Sequence, residues 1–210
     1  ELGKNKLRTF LSLFGVTIGI FCIIGVLATV NSLEQNNQSE IKSMGNNTIY
    51  IDKWEYGGGP DYPWWKFANR PVPVYEETEE LMRRTPTAGH AAFVIEARDN
   101  AEAGGNILQG INLYGVTPGF TSIQPVEIIE GRMMTEGEFD RGYNAVVIGF
   151  EVAEKLFGTP ERAVGKIIST RGRKCIVAGV IKKQGQQMIG GWQFDQSLVM
   201  PYRFARTIMD

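Results

Sequence analysis

FLSLFGVTIGIFCIIGVLATV, residues 10–30, is the stretch whose reading decides the fold: 21 residues without Asp, Glu, Lys, Arg, His, Asn, Gln or Pro. At 1.5 Å rise per residue, a helix of this length spans about 31 Å, the thickness of a bilayer's hydrocarbon core. Ser12, Thr17 and Thr29 carry its side-chain hydroxyls, and in a helix such groups bond back to carbonyls of the preceding turn. Gly15, Gly19 and Gly25 would weaken a solvated helix, whereas small residues let membrane helices approach one another closely. Gly15 and Gly19, in a Gly-x-x-x-Gly arrangement, are the candidate helix-packing residues. The run is apolar around its whole circumference, unlike the one-sided helix of a soluble core.

Charge on either side gives the run a direction. Lys4, Lys6 and Arg8 precede it against the single acid Glu1, while the next twenty residues carry Lys42 against Glu34 and Glu40. Basic residues collect on the cytoplasmic side, so residues 31–210 are expected outside the cytoplasm. The rival is a cleaved signal peptide with residues 4–8 as its basic end. Such a peptide has a shorter apolar core and a small-x-small cleavage site, which this chain does not show.

The 180 residues after the run suffice for one substantial domain or two small ones. A net charge of −1 and a pI near 6.0 argue against a nucleic-acid surface. The two cysteines, Cys22 in the apolar run and Cys175 in an expected strand, cannot bridge one another, so the domain must rely on its core. The chain starts with Glu and stops after a helix-like segment, so it reads as a piece of a longer protein.

Working outward, residues 31–43 contain no Pro or Gly, so the helix is expected to continue as a polar stalk. Gly45-Asn46-Asn47 would stop it. Alternation of Ile49 and Ile51 with Tyr50 and Asp52 predicts a strand at 48–54. Residues 55–73 (EYGGGPDYPWWKFANRPVP) read as a long irregular loop. In it Trp64 and Trp65 are a candidate partner contact, or else fold back with Phe67 as a lid over the domain's own core.

Residues 75–84 predict a short helix with acids in its first turn and Arg83-Arg84 in its last. Strands are expected at 90–97 and 106–116, joined by an Asp/Asn/Gly turn, which makes a βαβ-β unit with its helix packed on the sheet. Beyond residue 125 the texture becomes β-rich, with strands at 126–130, 145–149, 166–170 and 174–181. A helix is expected at 150–157, a tight hairpin at 170–173 and a second loop at 182–191. A strand at 197–200 and a helix at 202–209 close the chain.

Little of this points to catalysis. The chain has no phosphate-binding Gly-rich loop, no nucleophile elbow and no metal-spaced Cys/His set. Its single histidine, His90, lacks the partners a triad or a histidine metal site requires. The acids Glu76, Glu77, Glu79 and Glu80 read as a solvated helical face, and Glu136, Glu138 and Asp140 as a solvated acidic loop. No catalytic, cofactor-binding or metal-ligating residue is assigned.

Several stretches together resemble the MacB/FtsX-like membrane subunits of ABC transporters. They are NKLRTFLSLFGVTIGI (5–20), MGNNTIYI (44–51), LYGVTPGF (113–120) and IEGRMM (129–134) with the acids after it. AVVIGFEVAEKLF (145–157) with Gly158, Val164-Gly165-Lys166 leading to IVAGVI (176–181), and SLVMP (197–201) complete the set. Their order covers nearly the whole chain. The resemblance implies an α+β fold: one N-terminal transmembrane helix continuing into a stalk, then a periplasmic domain with a βαβ-containing Porter-like part and a β-rich Sabre-like part. The corresponding boundaries are a cytoplasmic segment at 1–9, the transmembrane helix at 10–30 and the stalk at 31–45. The Porter-like part takes 46–124 and 192–210, and the Sabre-like part 125–191.

In function, the resemblance implies a non-enzymatic permease at the bacterial inner membrane, with its C-terminal domain extracytoplasmic. It would couple ATP hydrolysis elsewhere to domain movement by mechanotransmission, in efflux or in lipoprotein or peptide handling. The implied partners are an ABC ATP-binding domain or subunit, a second membrane subunit, a periplasmic adaptor protein and membrane lipid, with no nucleic acid and no cofactor. Lys4, Lys6 and Arg8 stand where such proteins contact the ATPase, and membrane orientation alone also accounts for them. The alternative function is that of a single-span anchored extracytoplasmic sensor or interaction domain.

Overall fold

Residues 10–30 form the middle of one unbroken helix, α1 (Lys6–Ser43), of 38 residues and about 57 Å. The structure, a computed structural model, describes residues 6–43, 48–53, 63–185 and 192–209, with side chains at 10–34, 48–53, 63, 65–185 and 192–209. The chain divides into two units, Glu1–Asn46 and Asn47–Asp210. Within the first, Phe10–Glu34 is apolar and long enough to cross a membrane, with none of its most apolar window buried. Thr17 and Thr29 donate their hydroxyls to the carbonyls of Leu13 and Gly25, each at 2.8 Å, as the sequence implies. The expected helix stop at residues 45–47 lies outside the described residues.

Among its described residues, the second unit is built on seven strands: β1 (Val94–Ala103), β2 (Asn106–Val116), β3 (Ile128–Gly131), β4 (Ala145–Ile148), β5 (Ile167–Thr170), β6 (Arg173–Ile181) and β7 (Ser197–Pro201). Their order is β3-β6-β4-β7-β2-β1-β5, with an additional pairing of β5 to β6. The pairings β1-β2-β7-β4-β6-β5 therefore return to their start, closed by the register pair Glu102 with Ser169. The two parallel pairs, β2–β7 and β4–β6, are each separated by crossovers, as parallel geometry demands.

The described residues also form six short helices: α2 (Glu76–Arg84), α3 (Phe120–Ile123), α4 (Glu136–Arg141), α5 (Phe150–Phe157), α6 (Pro160–Ala163) and α7 (Tyr202–Met209). On one face of the sheet, Leu113, Val146, Ile148, Leu198 and Met200 pack with Val152, Ala153 and Leu156 of α5 and Ala205 and Ile208 of α7. A Cβ on Gly115 would lie 2.2 Å from that of Ala205, so only glycine lets α7 lie this close to β2. On the other face Tyr114, Ala145, Val147 and Val199 pack with Phe120, Phe139 and Phe194. Strands covered on both faces lose alternation, which is why every residue of β4 and β7 is buried.

Four expectations are corrected. Residues 48–52 do not form a strand: Ile49 and Ile51 are 88% and 62% exposed, and no described strand pairs with them. Alternation supplies a face, but a strand also needs a neighbour for its backbone groups. The helix α2 forms but buries no residue, so it does not pack on the sheet. It is tethered at its start, where Tyr75 stacks on Tyr202 with ring centroids 4.9 Å apart.

β1 begins later than expected and runs through Asp99 and Asn100 to turn at Gly104-Gly105. A bulge facing that stretch is set by Gly110 at φ 68°, whose N–H donates to Asn100 Oδ1 at 3.2 Å. The acidic stretch at 136–140 is helix, not loop: Thr135 and Glu138 form a capping box at the start of α4. The sheet runs on across residue 125, with strands from both sequence textures side by side.

Candidate functional site

The candidate site is a set of surfaces on two units rather than a cleft. On α1, Gly15 and Gly19 are one turn apart on the helix, and a Cβ built on either meets nothing within 4 Å. A Cβ built on Gly25, further along the span, likewise meets nothing within 4 Å. Lys6 and Arg8 belong to α1, although their side chains, like all of Lys4, are outside the described set. Trp64 begins a single 3-10 turn, Trp64–Lys66, and the Trp65 side chain is 60% exposed. Phe67 is buried, with the Arg70 guanidinium 4.2 Å from its ring centroid. Phe67 is thus buried where Trp65 is exposed, but it belongs to neither of the two clusters that form the core.

Polar interactions in the second unit hold the fold's joints. Glu138 accepts two hydrogen bonds from the Arg132 guanidinium at 2.7 and 2.8 Å, and one from the Thr135 N–H at 2.8 Å. With Arg132 as the main cause, its carboxyl is held down to about 2. Asp195, buried beside Phe194, accepts from the N–H groups of Gln184 and Gly185 at 2.9 and 2.8 Å, pinning the strand exit after β6. Above it Trp192, Tyr114, Phe120 and Phe194 make edge and stacked contacts at centroid separations of 5.0–6.3 Å. Arg171, in the left-handed region at φ 47°, pairs with Asp99 at 2.8 Å and donates to the carbonyl of Ile208 at the end of α7.

The sequence reading missed the Asp195 clamp, for which no local signal exists, because its partners lie about ten residues away. It also missed the Thr135-Glu138 box, although the Thr-x-x-Glu spacing was there to read. Burial pushes the Cys175 thiol up to about 12, so it remains a small apolar core residue. His90 is exposed, and among the described residues no three of His, Cys, Asp or Glu gather as a metal site. The arrangement offers a rod, a rigid sheet and exposed faces.

A membrane-crossing helix joined to a two-faced α/β domain defines an anchored extracytoplasmic module. This chain belongs to the MacB-like periplasmic core domain family, whose match covers residues 9–209. It is 29% identical over 192 residues to the ABC transporter permease YvrN of Bacillus subtilis, covering 88% of this chain and 45% of YvrN. It is 26% identical over 201 residues to the pyoverdine export ATP-binding/permease protein PvdT of Pseudomonas syringae, covering 96% of this chain and 29% of PvdT. Its fold is similar to the periplasmic region of MacB from Actinobacillus actinomycetemcomitans, with TM-score 0.61, 19% identity and 81% of this chain and 72% of that one covered. The extracellular domain of the transporter YknZ from Gram-positive bacteria gives TM-score 0.56 at 22% identity, covering 68% and 69%.

The chain spans less than half the length of these permease relatives. Family membership makes it part of a MacB-like ABC transporter membrane subunit. It belongs at the inner membrane, with α1 as the span and the domain after it extracytoplasmic.

Proposed function

We infer that this chain is the front part of a permease that transmits the movement of an ATP-driven partner to its extracytoplasmic domain. The observation that carries this reading is the continuity of α1, helical from Lys6 to Ser43 through both the apolar and the polar stretch. A displacement at one end of a helix reaches the other, whereas a flexible linker dissipates it. In this reading Lys4, Lys6 and Arg8 face the ATP-binding domain or subunit, and Gly15 and Gly19 pack against another membrane helix. The Porter-like (46–124 and 192–210) and Sabre-like (125–191) parts then act on a second membrane subunit and a periplasmic adaptor, with Trp64 and Trp65 as contact residues. Relatives named for macrolide and pyoverdine export favour efflux as the outcome.

The test inserts Gly-Gly-Gly-Ser after Gln38 in the full-length permease. Assembly and ATP turnover are expected to persist while transport falls to background. Normal transport by that variant would refute rigid coupling through α1.

A further inference from the structure

The hairpin between β5 and β6 carries two unfavourable features side by side. Its turn is Arg171-Gly172, with φ of 47° and 73°, a left-handed geometry for which Asn-Gly and Gly-Gly are preferred. Arg171 is the only residue other than glycine with positive φ among the described residues. Next to it, Thr170 is 2% exposed, and its hydroxyl has no hydrogen-bond partner among the described residues. A strained backbone and an orphaned buried hydroxyl persist only where the surrounding structure holds them.

The Arg171 side chain supplies that hold. Its Nε donates to Asp99 Oδ2 on β1 at 2.8 Å, and its Nη1 donates to the carbonyl of Ile208, in the last turn of α7, at 3.0 Å. The last four carbonyls of a helix have no partner within it, so Arg171 caps α7 from another element. Asp99 and Ile208 come from the two stretches of chain that flank residues 125–191, to which Arg171 belongs. The pair with Asp99 also spans the thinnest seam of the sheet. There β1 meets β5 at the single register pair Glu102 with Ser169, against the long ladder of β1 on β2. The Arg171 and Asp99 side chains are 29% and 34% exposed, so solvent screens the pair and it can part and re-form.

We propose that Arg171 is a reversible latch that makes the β1–β5 seam and the last turn of α7 open and close together. Release relaxes the turn and lets water reach the Thr170 hydroxyl, which offsets part of what the two hydrogen bonds contribute. Glycine at 171 would suit the backbone better and would couple nothing. The latch belongs to the domain itself and does not depend on transmission through α1.

The test follows amide hydrogen exchange in the full-length protein in detergent. Arg171→Gly should speed exchange about tenfold both in residues 167–170 and in residues 206–209, while β4 and β7 keep the parent rate. Asp99→Ala, which leaves the turn itself intact, should produce the same two changes to a smaller extent. Thr207, exposed on α7 with its hydroxyl bonded to the carbonyl of Phe204, supplies the reciprocal variant. Thr207→Gly frays the helix end and should speed exchange in residues 167–170 about threefold, but only while Arg171 is present. A rise at one end alone, independent effects of Thr207→Gly and Arg171→Gly, or a rise spread over β4 and β7 would each overturn the proposal.

Discussion

α1 and β4 are both built from apolar residues, yet they meet opposite surroundings. Every side chain of α1 from residue 10 to 34 is exposed, whereas all four residues of β4 are buried on two faces of protein. The difference teaches that apolar content does not say what covers a segment. Length and circumference do: a helix apolar all round for about 30 Å needs lipid, while four apolar residues between turns fit between two protein layers.

One substitution made in both places tests this most severely. Ile148→Ala in β4 should cost about 2–5 kcal/mol of domain stability, because Ile148 is fully buried. Ile20→Ala in α1 should leave that stability within about 0.5 kcal/mol. Denaturant unfolding in detergent distinguishes the two, and equal losses would break the comparison. Next, Ile20→Arg should raise the apparent cost of membrane insertion by about 3 kcal/mol, read from the inserted fraction of a glycosylation reporter. Unimpaired insertion would mean that α1 is not a lipid-facing span.

A smaller effect concerns pH. Glu138 has a folded-state pKa of about 2 against an ordinary 4.5. Its contribution is therefore fully present above about pH 4.5 and is lost as pH falls toward 2. Glu138→Gln should flatten the dependence of stability on pH in that window and leave its slope above pH 5 unchanged. An identical acid limb in variant and parent would remove the Arg132–Glu138 pair from the account. Smallest of all, Gly137→Ala in α4, where a Cβ meets nothing within 4 Å, should raise the thermal midpoint through a gain of about 0.5–1 kcal/mol.

What was legible in the sequence follows the range of the forces involved. β2, α5 and α7 fall on the predicted residues because alternation, helical spacing and flanking glycines act within a few positions. Gly158 and the Arg171-Gly172 hairpin, at φ 85°, 47° and 73°, are of the same kind. The strand expected at 48–54 failed because its partner cannot be read from its own residues. The α4 helix was hidden by its acids, whose charge suggested solvent although Glu138 serves as an N-terminal cap. Strand order was beyond reach altogether: nothing local to β7 says that it inserts between β4 and β2. The same holds for the pairing of Ile167 with Ile176, which only the register of β5 on β6 brings together.

The ring of strand pairings also sets a timetable. β2 finds β7 only after more than eighty residues of intervening chain, and β1 finds β5 across some sixty. Closing such long loops is entropically costly before any contact rewards it, and distant pairing of this kind slows folding. Little of the sheet can set until β7 has crossed the membrane, so the emerging chain spends an interval with unpaired edges. During that interval an extracytoplasmic chaperone would find its substrate.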